Sequence, residues 1–392
     1  MTQRQMDVVI IGGGVIGASI AHFLAADPDW SGSVAVVERD PTFQDGSTAR
    51  SAASIRQQFS TPENVRISLY GIDFLRNLSD HLSVDGEPPP DISLHEGGYL
   101  LLAATPEGET VLRDNHAIQQ AEGADIALVT PDEIAARFPW MRVDDLRLGA
   151  LGLSGEGWFD AFSLLQGFRR KAKSNGVEHI HGEVVGLTRE GERITGVTLA
   201  SGETISCGLV VNAAGPRSHL VAAMAGVDLP VRPRKRHVFV FTCPESTANS
   251  PLVTDPSGLY FRPEGDRFIC GISPKDGESD PDCLDLLEDH SLFEEVHWPI
   301  LAERVPAFES IRFAGAWAGH YSMNTVDANA ILGPHPERPN MILANGFSGH
   351  GLQQSPAVGR GIAELIIHGT YKTLDLSRFA FGREPVIEKN VI

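Results

Sequence analysis

The chain opens on a short β-branched run, Asp7-Val-Val-Ile-Ile11, that breaks directly into Gly12-Gly-Gly14-Val-Ile-Gly17. No other stretch limits the fold so strongly. An apolar run of that length reads as a buried strand. Val15 to Ala26 then reads as a helix and Ser33-Val-Ala-Val-Val-Glu38 as a second strand, which makes a βαβ unit. Gly12 permits the tight turn, Gly14 lets the backbone approach a pyrophosphate, and Gly17 lets helix and strand pack closely. The first helical turn, Val15 and Ile16 included, adds N–H donors and a favourable dipole. Glu38 can accept from both ribose hydroxyls, and its charge disfavours a 2′-phosphate. The pattern predicts a dinucleotide site, the competing reading being a βαβ unit with a purely structural turn.

Two later segments look like the first. Gly208-Leu-Val-Val-Asn212 runs through Ala213, Ala214 and Gly215 into a helical stretch from Ser218 to Ala225. Met341-Ile-Leu-Ala-Asn345 runs through Gly346-Phe-Ser-Gly-His-Gly351 into a helix from about Ser355 to Ile367. Between them lie alternating stretches such as His237-Val-Phe-Val-Phe241 and Arg267-Phe-Ile-Cys-Gly-Ile272, which suggest an antiparallel sheet. A chain of 392 residues is too long for one core and points to about two domains. The expected fold is therefore α/β: a Rossmann-like, glutathione-reductase-type domain assembled from residues 1–84, 146–227 and 314–392. An α+β substrate domain with an antiparallel sheet takes residues 85–145 and 228–313.

Composition removes several function classes. Acidic residues number 51 against 32 basic ones, a net charge of −19, which repels a nucleic-acid backbone. The four cysteines show no metal-ligand spacing, so they read as reduced thiols of a cytoplasmic protein, and no metal is expected. The acidic cluster Asp280-Pro-Asp-Cys-Leu-Asp285 lacks the glycine and terminal Glu of a calcium loop and reads as a solvated helix start. No run of about 18 apolar residues predicts a transmembrane helix. Peripheral contact with a membrane stays open.

The dinucleotide could be NAD or FAD, and two features favour FAD. After Glu38-Arg39 comes Gly46-Ser47-Thr48-Ala-Arg-Ser51-Ala52-Ala-Ser54, small and hydroxyl-rich enough to line phosphates and a flat ring. The late glycine motif lies far along the chain, as enclosing the second half of a longer cofactor requires.

Gly12 to Gly17, Asn212-Ala-Ala-Gly215 and Gly346-Phe-Ser-Gly-His-Gly351 together resemble the D-amino-acid oxidase/sarcosine oxidase family of flavoproteins, over nearly the whole chain. Ser54 to Ser60, Gly155-Glu-Gly-Trp-Phe-Asp160, Arg234-Lys-Arg236 and Trp317-Ala-Gly-His-Tyr321 narrow it to a subgroup whose mitochondrial members are linked to respiratory complex I assembly. The resemblance implies FAD, expected to be non-covalent because the tethering cysteine of the sarcosine oxidases is absent here. Its ADP half would rest on the Gly12 to Gly17 loop, Glu38 and Arg39. Val184 would meet adenine. Ser47, Thr48, Ser51 and Ala52 would line the pyrophosphate and flavin, with Ala214 and Gly215 beside them. Gly349, His350, Gly351, Leu352 and Gln353 would face the pyrimidine end of the flavin, where hydride arrival leaves negative charge.

The resemblance also implies oxidation of a C–N bond in a small amino acid or secondary amine, of the sarcosine, N-substituted glycine or D-amino-acid type, by hydride transfer to flavin N5. Arg56 aligns with an arginine that binds substrate carboxylate, the alternative being a surface salt bridge, and Tyr260 with a substrate-site tyrosine, the alternative being a core or domain-interface tyrosine. His350 is a candidate catalytic residue, the alternative being that only its backbone serves the flavin while its ring fills space. Three positions depart from the sarcosine oxidases. His320 stands where they tether FAD through cysteine, which excludes a thioether and leaves a histidyl link as the alternative to non-covalent binding. Gln353 replaces a lysine that helps hold the carboxylate. The strand Arg267 to Ile272 lacks the lysine that promotes reaction with oxygen, which favours a dehydrogenase using an unidentified electron acceptor. The alternative reading is a flavin-containing assembly protein of a respiratory complex, with FAD mainly structural.

Overall fold

A computed structural model describes residues 4–389 apart from 89, 246 and 276. The opening unit folds as its residue pattern dictates. Arg4–Ile11 and Val34–Glu38 are parallel strands joined by the helix Val15–Ala26. That helix is buried through most of its length because it packs against two other helices, Ala161–Ser174 and Gly351–His368, as well as the sheet.

The first sheet has eight strands. Its central path runs Ile331–His335, Arg338–Asn345, Thr204–Asn212, Arg4–Ile11, Val34–Glu38 and Glu178–His181, all parallel except the first pair. The three strand–glycine–helix segments therefore lie side by side. Ile11 is level with Asn212, and Asn212 with Leu343. Asn345 ties two of the strand ends together, its Nδ2 donating to the Asn212 carbonyl at 2.9 Å, with both residues fully buried. Their carboxyl ends open on the same side, where α/β sheets bind their ligands. The last helix starts at Gly351 rather than near Ser355, so the end of the Gly-His-Gly motif is its first turn.

The second sheet also has eight strands, in the order Arg312–Asn324, Val231–Thr242, Arg267–Ile272, Leu259–Glu264, Leu252–Thr254, Tyr99–Ala103, Leu148–Gly152, Ile126–Val129. Among the described residues only Leu252–Thr254 and Tyr99–Ala103 pair in parallel within it. Its far face carries a phenylalanine core in which Phe241 meets Phe308 at 5.1 Å. Two segments expected in the first domain, Leu148–Gly152 and most of Arg312–Asn324, run in this sheet. Pairing decides this: Arg312–Asn324 is matched along its whole length by Val231–Thr242.

The acidic cluster is not a helix start. It forms an irregular strap tied to Val231–Thr242 by three consecutive basic residues. Arg234 meets Asp282, Arg236 binds Asp280 through both Nη at 2.7 and 2.8 Å, and Lys235 donates to Asp285 at 2.8 Å. The cations sit 44 to 50 residues away in sequence, so the acids alone gave no sign of them. All four cysteines are free thiols, and among the described residues no helix is long and apolar enough to cross a membrane.

Candidate active site

Residues of both sheets line one cavity of about 590 Å³, within the usual range for cofactor and small-molecule sites. Every candidate cofactor residue lines it except Gly17, whose role is different. A Cβ on Gly17 would lie 1.9 Å from the Gly12 carbonyl oxygen, so only glycine lets the helix close on the turn. Gly12 has φ +103°, and a Cβ there would stand 2.4 Å from the Ala213 carbonyl.

The donor set of this half suits a dinucleotide. Two helix starts open on the cavity, at Gly14 and at His350, and neither has a side-chain cap. Apart from the Val15 N–H, which donates to Thr48 Oγ1, their leading N–H groups face the cavity end where anionic oxygens would bind. Glu38 Oε2 accepts from the Gly13 N–H at 2.8 Å and Oε1 from Asp40, which aims the carboxylate along the turn. Thr48 Oγ1 accepts from Val15 at 3.1 Å. Arg39, Arg50 and Arg217 add positive charge to the wall. Ser322 Oγ and Arg236 Nε, also on the wall, are buried with no hydrogen-bond partner among the described residues. Close backbone, cationic side chains and unpaired donors together fit FAD.

The other half is built from side chains. Arg56 is 3% exposed, and its surroundings fix it. Its backbone N–H donates to Gln353 Oε1 at 2.7 Å, its Nη1 to the Gln58 carbonyl at 3.0 Å, and its Nη2 meets His350 Nε2 at 3.1 Å. The guanidinium also lies 4.5 Å over the Phe59 ring, against which His350 packs edge-on. Burial and the adjacent Arg56 push the His350 imidazole down to about 3, so it is neutral and its Nε2 accepts. His350 Nε2 thus accepts from the Arg56 guanidinium. Gln353 spends its carbonyl on the Arg56 backbone, which leaves only its amide N–H₂ to face a ligand.

Tyr260 lines the cavity with its ring laid across Gly271, where a Cβ would stand 2.7 Å from the phenol oxygen. His320 lines it as well, but its Nε2 donates to the Asp285 carbonyl at 3.0 Å and so anchors the strap.

Three residues of this half escaped the sequence reading. Tyr99 and Tyr321 line the cavity, and burial drives the Tyr99 phenol up to about 12. Glu156 lies behind Arg56, wholly inaccessible, accepting from the Gln57 N–H at 2.5 Å, the Gln58 N–H at 3.2 Å and Gln58 Nε2 at 2.8 Å. Burial raises its carboxyl to about 7. Glu156 falls inside the Gly155 to Asp160 motif, yet its partners are about a hundred residues upstream, and nothing local announces them.

Comparison with known proteins accounts for this arrangement. The family model described as DAO, FAD dependent oxidoreductase, matches residues 7–365. The chain belongs to that family. It is an FAD-dependent oxidoreductase of the DAO type, and FAD is its cofactor. It is similar to the FAD-dependent oxidoreductase domain-containing protein 1 of Xenopus laevis, 45% identical over 99% of this chain and 85% of that one. It is 28% identical to the glycine oxidase of Geobacillus kaustophilus, over 98% of both chains. Among solved structures, L-proline dehydrogenase from P. horikoshii superposes with a TM-score of 0.85 at 29% identity, covering 96% of this chain and 97% of that one.

Proposed function

We propose that this DAO-family protein oxidises the C–N bond of an amino acid or secondary amine, of the N-substituted glycine or D-amino-acid type, to an imine that water then hydrolyses. Bound FAD supplies the two-electron acceptor, taking hydride at N5. The observation that carries the reading is Arg56, a buried, pre-oriented guanidinium in the same cavity as the glycine loops. Ordering it before substrate arrives removes an entropic cost of carboxylate capture.

The neighbouring residues act by shape and exclusion. Tyr99, Tyr260 and Tyr321 line the same cavity as Arg56 and present aromatic surface to it. The carboxylates lining the cavity are Glu38, Asp40, Asp45 and Glu183, none of which belongs to the tyrosine-walled half. With His350 neutral and the Tyr99 phenol held protonated, no strong base is in place there, so the amine has to enter unprotonated. No lysine is among the residues lining the cavity. A nascent superoxide therefore lacks the ammonium that would stabilise it, which favours a dehydrogenase with another acceptor. None of the four cysteines lines the cavity either, in keeping with non-covalent FAD.

The test is anaerobic mixing of the yellow protein with a panel of N-methyl, cyclic and D-amino acids. Bleaching of the flavin by at least one of them is expected, together with slow reoxidation in air and fast reoxidation by an artificial quinone. A panel that leaves the flavin oxidised throughout sinks the amine reading. Rapid peroxide formation overturns the dehydrogenase preference alone.

A further inference from the structure

Besides Ser322 Oγ, a second buried hydroxyl among the residues lining the cavity has no partner among the described residues. Thr254 ends the short strand Leu252–Thr254, is 8% exposed, and its Oγ1 makes no hydrogen bond among the described residues. It nonetheless lines the cavity. Sheet register places it directly opposite Tyr260 on one side and level with Leu101 of the Tyr99–Ala103 strand on the other. It therefore belongs to the tyrosine-walled half, not to the glycine loops.

A buried polar atom left unpaired costs free energy and calls for a reason. Valine has nearly the same shape, suits a strand at least as well, and would carry no such cost. Two other polar residues of this half are already engaged. The Tyr99 hydroxyl donates to Ser54 Oγ at 2.6 Å, and Arg56 is held by Gln58, His350 and Gln353. The hydroxyl that remains unpaired points to a polar group that arrives with the ligand.

We infer that Thr254 reads a neutral hydrogen-bonding group of the substrate, a hydroxyl, carboxamide or carbonyl, carried away from the carboxylate that Arg56 holds. This rests on the amine-oxidation reading for the ligand's other end and adds only its second polar group. Neutrality follows from the wall. The lining residues of the three strands around Thr254 are Tyr99, Leu252, Thr254 itself and Tyr260, none of them charged. On the same sheet Arg262, one strand away, is engaged with the Ala52 carbonyl and Glu264, and Arg236 is bound through both Nη to Asp280. A second carboxylate beside Thr254 would meet no countercharge.

Calorimetric titration of the FAD-loaded protein with non-oxidisable ligands tests this. The probes are short ω-hydroxy carboxylates of increasing length, each paired with its methyl-terminated isostere and with the matching dicarboxylate. At one chain length the hydroxy acid should bind at least about fivefold tighter than its isostere. Thr254→Val should erase that preference and Thr254→Ser should keep most of it. Equal binding of every pair by the native protein overturns the inference. So does a Thr254→Val variant that weakens both members alike, the mark of packing or of an ordinary buried water. Dicarboxylates binding tighter than the hydroxy acids overturn the claim of neutrality. These ligands carry no amine, so a hydroxy-acid preference that stands while no amine bleaches the flavin supports the inference and sinks the oxidation reading instead.

Discussion

Along the strand ends of the first sheet the cavity is walled by glycines, small hydroxylic residues and the first turns of two helices. Under the second sheet it is walled by Arg56, Tyr99, Tyr260 and Tyr321. Backbone holds one half and side chains the other. A turn of glycines can do its work only in one conformation, and sequence encodes that conformation locally. A side-chain wall depends on which strands lie next to each other, and its residues come from four separate strands or loops. The two halves should therefore fail in different ways when altered.

The largest effect should come from filling the backbone cradle. Gly12→Ala forces a Cβ to 2.4 Å from the Ala213 carbonyl at φ +103°. Strain and overpacking there should cost about 2–4 kcal/mol or more, and the purified protein should be nearly colourless. The flavin-to-protein ratio and a thermal melt measure both. A yellow, stable variant would mean that the turn is only structural.

Behind the side-chain half, Glu156 should leave a pH signature. Its carboxyl titrates near 4.5 when unfolded and at about 7 when folded. Between those values the folded state keeps a proton that the unfolded chain has released, so raising the pH favours unfolding. Its contribution to stability is full below 4.5 and is lost as the pH passes 7. The whole loss amounts to roughly 3 kcal/mol. Urea unfolding at pH values of about 5 and about 8 should show this drop in the native protein and not in Glu156→Gln. Equal slopes in both proteins would show that the donors from Gln57 and Gln58 hold the carboxylate ionised throughout.

Arg56→Ala should spare the flavin and weaken the binding of a carboxylate ligand on the order of a hundredfold, as expected for a charge-assisted pair. Arg56→Lys should recover little, because an ammonium cannot meet the Gln58 carbonyl and His350 Nε2 in the same fork. Loss of flavin in Arg56→Ala would erase the distinction between the halves.

That distinction also explains what could be read before the structure. The three strand–glycine–helix units were legible because each carries its own turn chemistry, and their adjacency in one sheet follows from that likeness. Arg56 and Tyr260 were legible only through family resemblance. Glu156, Tyr99 and Thr254 were not, since their meaning arises from strand pairing across large sequence distances. The strap was misread for the same reason. Its acids look solvated until Arg234, Lys235 and Arg236 are placed beside them.

The strap gives the smallest effect and the finest test of the boundary between the halves. Leu284 of this segment and Leu286 just beyond it line the cavity, and the Asp285 carbonyl accepts from His320, so its seating controls how tightly the cavity is closed. Its two arginine pairs differ in burial. Asp282 is about half exposed, and an exposed pair contributes about 0–1 kcal/mol. Asp280 pairs instead with Arg236, whose side chain is 9% exposed. Asp282→Asn should therefore change stability by less than about 0.5 kcal/mol. Asp280→Asn leaves a mostly buried guanidinium without its anion and should cost about 1 kcal/mol, discounted from a fully buried pair because Asp280 itself meets water. Salt on the order of 1 M should mimic Asp282→Asn, since screening reaches exposed pairs first. Flavin release into excess apo-acceptor, timed with and without salt for each variant, separates the cases. If salt accelerates release as much as Asp280→Asn does, the Arg236 pair is already solvated and adds nothing to closure of the cavity.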